Sequence, residues 1–127
     1  MKYLANEDIL VIHALIIDQT GGRHGIRDVG LLESACARPK TSIFGKSTFP
    51  TVFDKAAAYL DSIAKHHVFV DGNKRTALAR AARFLELNDF RLNASNIEAE
   101  RFMIRVIVKR LDIPKIAAWL RKHSKRI

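Results

Sequence analysis

The stretch TVFDKAAAYLDSIAKHHVFVDGNKRTALARAARFLELN, residues 51–88, decides the fold of this chain. Its first part has an apolar stripe at helical spacing, which follows a Thr51 and Asp54 pair that resembles a capping box. This pattern predicts a helix that ends at about His66. The last part repeats apolar residues at the same spacing and predicts a second helix over about residues 73–88. The glycine-containing segment between the two helices is therefore expected to be a loop.

Helical spacing of apolar residues predicts four further helices outside this stretch. The first has a candidate N-cap at Asn6 and stops at Gly21. A shorter helix ends at Arg38, just before a proline. Another covers about residues 97–110, and the last begins at Pro114, since proline suits a first helical position.

The segment from residue 39 to residue 50 carries β-branched and aromatic residues around Gly45, with too few apolar repeats for a helix. It predicts a loop or a small hairpin. No run of alternating residues is long enough for a sheet, so the predicted fold class is all-α. We expect a compact bundle of about six helices packed around a central one. The length predicts one domain, residues 1–127.

Composition excludes several classes of protein. No stretch approaches the roughly 20 apolar residues that span a bilayer. The N-terminal sequence MKYLANED reaches acidic residues too early for a signal peptide. We therefore expect a cytoplasmic protein without membrane contact. Cys36 is the single cysteine and has no partner for a disulfide or a zinc site, so we expect a buried structural residue.

The formal net charge of +9 is concentrated near the C-terminus. Residues 1–100 hold 13 Lys or Arg and 12 Asp or Glu, a net of +1, whereas residues 101–127 hold 9 against Asp112 alone, a net of +8. Such a region predicts an acidic partner, which could be nucleic acid, a ribosome surface or an acidic protein. A solvated helix face is the alternative interpretation.

Residues 68–78 place a helix N-terminus directly after a glycine. Gly72 and Asn73 permit a tight, left-handed backbone, and the next helix adds its unpaired amides and the positive end of its dipole. This arrangement binds anions, phosphate above all. Lys74 and Arg75 oppose the helix dipole by about 0.3–1 kcal/mol each, so an anionic group is expected to offset them.

The residue types in this segment suggest particular roles. Arg75 could hold a phosphate through two parallel hydrogen bonds, with Lys74 as a point charge. Asp71 would repel a phosphate unless a divalent cation such as magnesium lay between them. His67 could accept a proton from an attacking hydroxyl if it points into the same pocket. Phe69 is interpreted as the hydrophobic anchor of the loop.

A structural alternative remains open for each of these polar residues. The two cations could face solvent or pair with a carboxylate such as Asp71. That carboxylate could instead bond its own loop backbone. A lone histidine such as His67 is more often structural than catalytic. The phosphate-loop pattern GxxxxGK[ST] is absent, which disfavours a P-loop kinase.

The segment HVFVDGNKRTAL, residues 67–78, resembles the Fic/Doc family motif HxFx[DE]GNxR. It is most similar to the Doc (death-on-curing) branch, in which Lys occupies the position of the second motif Gly. The upstream segment GIRDVGLLESACARPK and the downstream helices are also similar to Doc-type chains. The resemblance therefore covers most of the chain.

The resemblance implies functional roles for the motif residues. It makes His67 the general base and Asp71 the Mg²⁺ ligand. The catalytic set would be His67, Asp71, Lys74 and Arg75, and the cofactor-binding set would be Gly72, Asn73, Lys74 and Arg75. Two positions depart from the adenylylating Fic enzymes, since Lys74 replaces a glycine and Leu78 replaces a second arginine. Doc-type toxins share both departures.

The implied activity is that of a toxin of a toxin–antitoxin system. Such a toxin transfers the γ-phosphate of ATP, with Mg²⁺, to a Thr or Ser hydroxyl of a translation protein, elongation factor Tu above all, and so arrests translation. His67 would deprotonate the hydroxyl, Asn73 would shape the loop and bond phosphate, and Lys74 with Arg75 would clamp the transferred group. The segment 41–49 corresponds to the family's flap, which could pair with an extended stretch of the target.

The resemblance also implies a separate Phd-like antitoxin, because the inhibitory pattern [ST]xxxE[GN] of many Fic enzymes is absent. Three alternatives remain. The chain could be a Fic-type protein adenylyltransferase. It could be a basic RNA- or ribosome-binding module without catalysis. It could also be an inactive relative kept as a binding partner, although the motif residues are all present.

Overall fold

The computed structural model describes all 127 residues. Its six helices are α1 (Asn6–Thr20), α2 (Val29–Ala37), α3 (Val52–His66), α4 (Asn73–Leu87), α5 (Asn96–Val108) and α6 (Ile113–Lys122). A 3₁₀ turn, Arg38–Lys40, follows α2. The strands are β1 (Ser42–Ile43), β2 (Lys46–Ser47), β3 (Phe90–Leu92) and β4 (Ser124–Arg126). The predicted all-α class with six helices is confirmed, and none of these helices is long and apolar enough to cross a membrane.

Helix α3 is the central helix of the bundle. The predicted capping box is present, since Thr51 Oγ1 accepts from the Asp54 amide at 3.1 Å and the Asp54 carboxylate accepts from the Thr51 amide at 3.2 Å. Eleven of its fifteen residues are buried, so neighbours cover it on nearly every side. Its three alanines at residues 56–58 are fully buried, which lets other helices approach closely.

Three helices begin one residue away from the predicted start, and one of them, α5, covers Asn96–Val108 instead of about residues 97–110. At α1 the N-cap is Ala5, whose amide donates to the Asp8 carboxylate at 2.8 Å, so Asn6 is the first helical residue and not the cap. At α6 the N-cap is Asp112, whose carboxylate accepts an amide of the first turn, and Pro114 is the second helical residue. In α1 the first-turn Asp8 carboxylate binds the amide of the N-cap residue, and in α6 the N-cap Asp112 carboxylate binds the first-turn amide of Lys115.

One of the two strand pairs lies where the sequence predicted a loop or a small hairpin, and the other lies where it predicted no strand. The segment after α2 is a hairpin, as one of the two predicted forms, and Phe44 and Gly45 at its tip have φ of 50° and 77°. The pair of β3 with β4 was not predicted. It joins the segment after α4 to the end of the chain, with Phe90 opposite Arg126. Three residues per strand are too few for alternation to show in the sequence.

One cluster of 23 buried residues forms the hydrophobic core. The fully buried Arg80 of α4 lies within this interior and donates to the carbonyls of Ala35 at 2.8 Å and Tyr59 at 3.3 Å. Its guanidinium also lies 4.1 Å from the centroid of the Tyr59 ring. Burial lowers the pKa of Arg80 to about 10, so it stays charged at neutral pH and ties α2, α3 and α4 together.

The prediction for Cys36 is met only in part. The thiol is half-buried rather than buried, and burial raises the pKa of Cys36 above its ordinary value. Cys36 lies in the last turn of α2, where the helix surface is only partly covered. A raised pKa keeps the thiol protonated and unreactive at neutral pH.

The capping box of α3 gives the first testable prediction. Replacing Thr51 with Ala removes the acceptor of the Asp54 amide and should lower the free energy of unfolding by about 1 kcal/mol. Urea unfolding followed by circular dichroism measures this change. The control is Ser42→Ala in the exposed β1 strand, which should change the midpoint little. Equal midpoints for both variants would contradict the capping role.

Candidate active site

The loop between α3 and α4, residues 67–72, is closed by the side chain of Asn73. Its Oδ1 accepts from the Phe69 amide at 2.9 Å, and its Nδ2 donates to the Phe69 carbonyl at 2.9 Å. An amide side chain suits this task because it offers a donor and an acceptor side by side. At the two ends of the loop His67 and Gly72 have left-handed backbone, with φ of 47° and 75°. The loop therefore has one defined shape.

Phe69 anchors this loop in the core, as predicted. Its ring is 1% exposed and stacks on the ring of His13 from α1, with centroids 3.8 Å apart and planes 6° apart. The His13 Nε2 donates to the Asp71 carbonyl at 2.8 Å. A carbonyl can only accept, so the Nε2 atom must carry a proton. Helix α1 thus holds the loop through one buried ring.

The segment before α2 pairs with the outer side of the loop. The amides of Arg27 and Asp28 donate to the Val68 carbonyl at 2.9 and 3.2 Å, and the Val70 amide donates to the Gly25 carbonyl at 3.0 Å. These bonds surround an isolated antiparallel bridge between residues 26 and 69. The loop is therefore hydrogen-bonded along its backbone as one side of a short ladder.

The Arg27 side chain caps the end of α3. Its guanidinium donates to the carbonyls of His66 at 3.1 Å and His67 at 2.6 Å. These carbonyls have no partner in the helix, which ends there in a left-handed residue. Arg27 therefore fixes the backbone of His67, which the sequence predicts to be the base.

The Asp71 carboxylate is held by the backbone on both oxygens. Oδ1 accepts from the Gly72 amide at 2.9 Å, and Oδ2 accepts from the Arg23 amide at 3.2 Å. These bonds, and secondarily the positive charges of Arg75 and Arg23, hold the pKa of Asp71 below its ordinary value. The carboxylate therefore bonds its own loop, as one alternative stated, and it is also ionised and fixed in direction.

This carboxylate fits a magnesium site of a particular kind. Each carboxylate oxygen accepts one hydrogen bond from a backbone amide and has further lone pairs available. No group of three His, Cys, Asp or Glu side chains could hold a metal ion on its own. Mg²⁺ in proteins is commonly held by one or two carboxylates together with substrate phosphates and water. Asp71 would supply the protein's share of such a site.

The N-terminus of α4 carries two cations that have no carboxylate within ion-pair distance. Gly72 is the N-cap and offers no capping side chain. Lys74 and Arg75 are exposed and take part in no ion pair, and Arg75 donates instead to the Thr20 hydroxyl. The predicted alternative of a pair with Asp71 is therefore not observed. Free amides, a helix dipole and two cations all favour an anion here.

The structure brings most of the predicted site residues into one turn. Asp71, Gly72, Asn73, Lys74 and Arg75 follow one another where the loop enters α4. His67 stands at the far end of the loop with an exposed side chain, and its role as a base stays a prediction. Both atoms of the Asn73 amide are bonded to the loop, so its shaping role has direct support while its bond to phosphate stays a prediction.

Sequence reasoning missed His13, Arg27 and the pairing at Gly25. Each of them contacts residues about 40 or more positions away, so local spacing held no sign of the contact. The positive φ of Gly25, 130°, shows why glycine is needed there, but a glycine in the sequence does not name its partner.

A cavity of about 440 Å³ lies between α2 and α3, beside the loop. Arg38, Thr41, Ser62 and His66 are among its lining residues, so it extends from the base of the hairpin to the residue before His67. Lys55 fixes the hairpin from below, since its Nζ donates to Ser47 Oγ at 2.9 Å and to the Phe49 carbonyl. The cavity thus lies between the base of the hairpin and the end of α3 that leads into the loop.

Comparison with known proteins adds three findings. A model described as the Fic/DOC family matches residues 3–85. A protein named Toxin Doc from Mycolicibacterium smegmatis is 42% identical over 121 residues, which cover 94% of this chain and 91% of that protein. A protein named Protein kinase doc from Escherichia phage P1 is 33% identical over 88 residues, 69% of each chain.

Gly72 gives a testable prediction. A Cβ there would lie 2.8 Å from the Cδ1 atom of Ile17, on a backbone with φ of +75°. Gly72→Ala should therefore lower the free energy of unfolding by about 2–3 kcal/mol, from strain and overpacking together. Gly45→Ala is the control, because φ is +77° there and nothing lies within 4 Å. It should cost about 1 kcal/mol in urea unfolding. Equal losses would mean that Ile17 moves aside without cost.

Proposed function

This chain belongs to the Fic/DOC family, and from that premise we propose that it is the toxin of a toxin–antitoxin pair. Its activity in this proposal is that of a protein kinase. It transfers the γ-phosphate of ATP to a Thr or Ser hydroxyl of a translation protein in the cytoplasm, and so stops translation. The full chain, residues 1–127, acts as one domain.

One observation carries the proposal. An uncapped helix N-terminus with two unpaired cations stands directly beside an ionised carboxylate that the backbone holds in place. The first feature suits the phosphates of a nucleotide and the second suits a divalent cation. Asp71 would hold a bound Mg²⁺ here, and the ion would supply positive charge against the negative charge that develops during transfer. Such a pair of features has no use in a protein that binds only nucleic acid.

The transfer itself needs few groups. The target hydroxyl oxygen forms a bond to the γ-phosphorus while the bond from that phosphorus to the β–γ bridging oxygen breaks, and ADP leaves. His67 takes the hydroxyl proton. Lys74 and Arg75 stabilise the charge on the transferred group, and the Gly72 turn aims backbone amides at it. Asn73 keeps the loop in shape through Phe69.

Phosphoryl transfer is favoured over adenylyl transfer by residue identity and by one relative. Lys74 and Leu78 depart from the adenylylating motif, as the sequence analysis noted. The phage P1 relative that is named a protein kinase is 33% identical over 69% of this chain. Adenylyl transfer remains the second candidate, because the same turn could hold the α-phosphate instead.

The hairpin offers a place for the protein substrate. Phe44 at its tip is fully exposed, at 101% of the reference area, and Ile43 beside it is 61% exposed. The edges of β1 and β2 are free to pair with an extended segment of the target. The cavity between the hairpin base and His66 would then admit the acceptor side chain. Elongation factor Tu is the proposed target.

A Phd-like antitoxin is the proposed partner, and the basic C-terminal region is its proposed contact. Arg91 and Lys125 stand opposite each other in the β3–β4 ladder, a pair of like charges that destabilises two strands. Lys122 and Arg126 are exposed close by in sequence. An acidic protein segment bound here would relieve this repulsion.

The transfer reaction is tested with labelled ATP. Purified protein and a bacterial lysate are incubated with ATP that is labelled at either the γ- or the α-phosphate, beside a His67→Ala control. Label should pass only from the γ position and should be lost in the control. Transfer from the α position would establish adenylylation instead. No transfer from either, with RNA binding that falls steeply with salt, would favour the RNA- or ribosome-binding alternative.

The proposed antitoxin contact predicts a charge effect on binding. Changing Lys122, Lys125 and Arg126 to Gln should weaken antitoxin binding at low salt by roughly threefold to 150-fold, since exposed ion pairs contribute about 0.2–1 kcal/mol each. Titration calorimetry at two salt concentrations measures this loss. Lys2→Gln with Arg83→Gln is the control and should leave the affinity nearly unchanged. Full affinity of the triple variant at low salt would reject the contact.

A further inference from the structure

We infer that His13 of α1 is a positioning residue that holds the peptide unit between Asp71 and Gly72 and so aims the Asp71 carboxylate at its metal. The inference rests on the proposed function where it names Mg²⁺ with ATP as the ligand. Its structural content concerns this chain's own loop. His13 would touch neither the nucleotide nor the metal, and would act only through the backbone of Asp71.

The ring of His13 contacts the loop at two points. Its face stacks on Phe69 at 3.8 Å, and its Nε2 donates to the Asp71 carbonyl at 2.8 Å. The same Nε2 lies 3.8 Å from the position that a Cβ on Gly72 would take. Of the side chains that donate to the loop, Arg27 binds at His67 and Asn73 at Phe69, and His13 is the one that binds the Asp71 carbonyl.

The position of this bond within the backbone decides its effect. The Asp71 carbonyl and the Gly72 amide belong to one planar peptide unit. His13 binds the carbonyl side of that plane, and the amide side donates to Asp71 Oδ1 at 2.9 Å. Because the peptide unit is planar, holding its carbonyl prevents a rotation that would move its amide away from Asp71 Oδ1. His13 therefore maintains the amide that orients the carboxylate.

Burial makes the bond hard to replace. His13 is 4% exposed, so a side chain of similar size without a donor would leave the carbonyl facing an apolar group on that side. A carbonyl without a partner would favour rotation of the peptide plane toward another donor. The Arg23 amide would still hold Oδ2, but at 3.2 Å it is the longer of the two carboxylate bonds. Any aromatic ring could stack on Phe69. The Nε2–H donor is what gives His13 its further role.

Two variants separate the donor from the shape of the side chain. His13→Gln keeps an N–H donor on an unbranched side chain, and His13→Met has a similar shape with no donor. Both lose the aromatic stack, so both are expected to lose stability to a similar degree. Only His13→Met loses the bond to the Asp71 carbonyl. Ile9→Val, at a fully buried position of α1 away from the loop, is the control for lost stability.

The first measurement is hydrogen exchange of the protein without ligands. In His13→Met the Gly72 amide should exchange at least about tenfold faster than in His13→Gln, because its bond to Asp71 is no longer maintained. Ile9→Val should match the unchanged protein at this amide. Equal exchange of the Gly72 amide in the two His13 variants would overturn the inference, whatever the enzyme does.

The second measurement is Mg²⁺ dependence of ATP binding, by calorimetry in a His67→Ala background where no transfer consumes the nucleotide. His13→Met should weaken the apparent Mg²⁺ affinity by about 10- to 100-fold, the usual effect of losing a residue that supports a metal ligand. His13→Gln should recover most of this loss. Equal weakening in both variants, in proportion to their melting temperatures, would show that His13 is merely structural. If the unchanged protein bound no ATP, the proposed function would fail while hydrogen exchange still decided the role of His13.

Discussion

Burial of the Phe69 ring is the interaction on which the arrangement of the loop depends. Val68 and Phe69 are buried in the core, whereas His67 and Val70 are exposed and Asp71 is half-buried, and the Phe69 ring is the larger of the two buried side chains. The Asn73 amide bonds both backbone groups of Phe69, and the segment before α2 pairs across from it. The loop can therefore be polar and open to solvent while its shape is set from beneath.

The charge around this loop is not arranged for stability. Two cations occupy the first turn of α4, where the dipole disfavours them, and no carboxylate pairs with either. The Asp71 carboxylate bonds backbone amides and forms no ion pair with either cation. A natural chain that breaks a local rule in this way does so most often at a functional site. A bound anion would remove the conflict, which is why the arrangement points to a phosphate ligand.

Buried polar side chains fix the parts that surround the site relative to α3. Asp61 pairs with Arg38 and Lys65, both at 2.6 Å, and so joins the 3₁₀ turn to the central helix. Lys55 holds the base of the hairpin, and Arg80 joins α2 and α4 to the same helix. The bonds of Arg38 and Arg80 link elements that are more than 20 residues apart in the sequence. Together these side chains hold the hairpin, the 3₁₀ turn, α2 and α4 against the central helix.

The sequence by itself determined the helices and the chemistry of the motif. Apolar spacing and the Thr51 cap predicted α3, and residues 67–78 predicted the loop with its glycine and its charged side chains. Both signals depend only on neighbours along the chain. The tertiary structure alone decided how the loop is held. His13 stacks on Phe69, Arg27 caps α3 and β4 pairs with β3 across gaps of more than 30 residues. Contacts between distant residues leave no local pattern, since packing in three dimensions selects the partner of a buried ring or a free carbonyl.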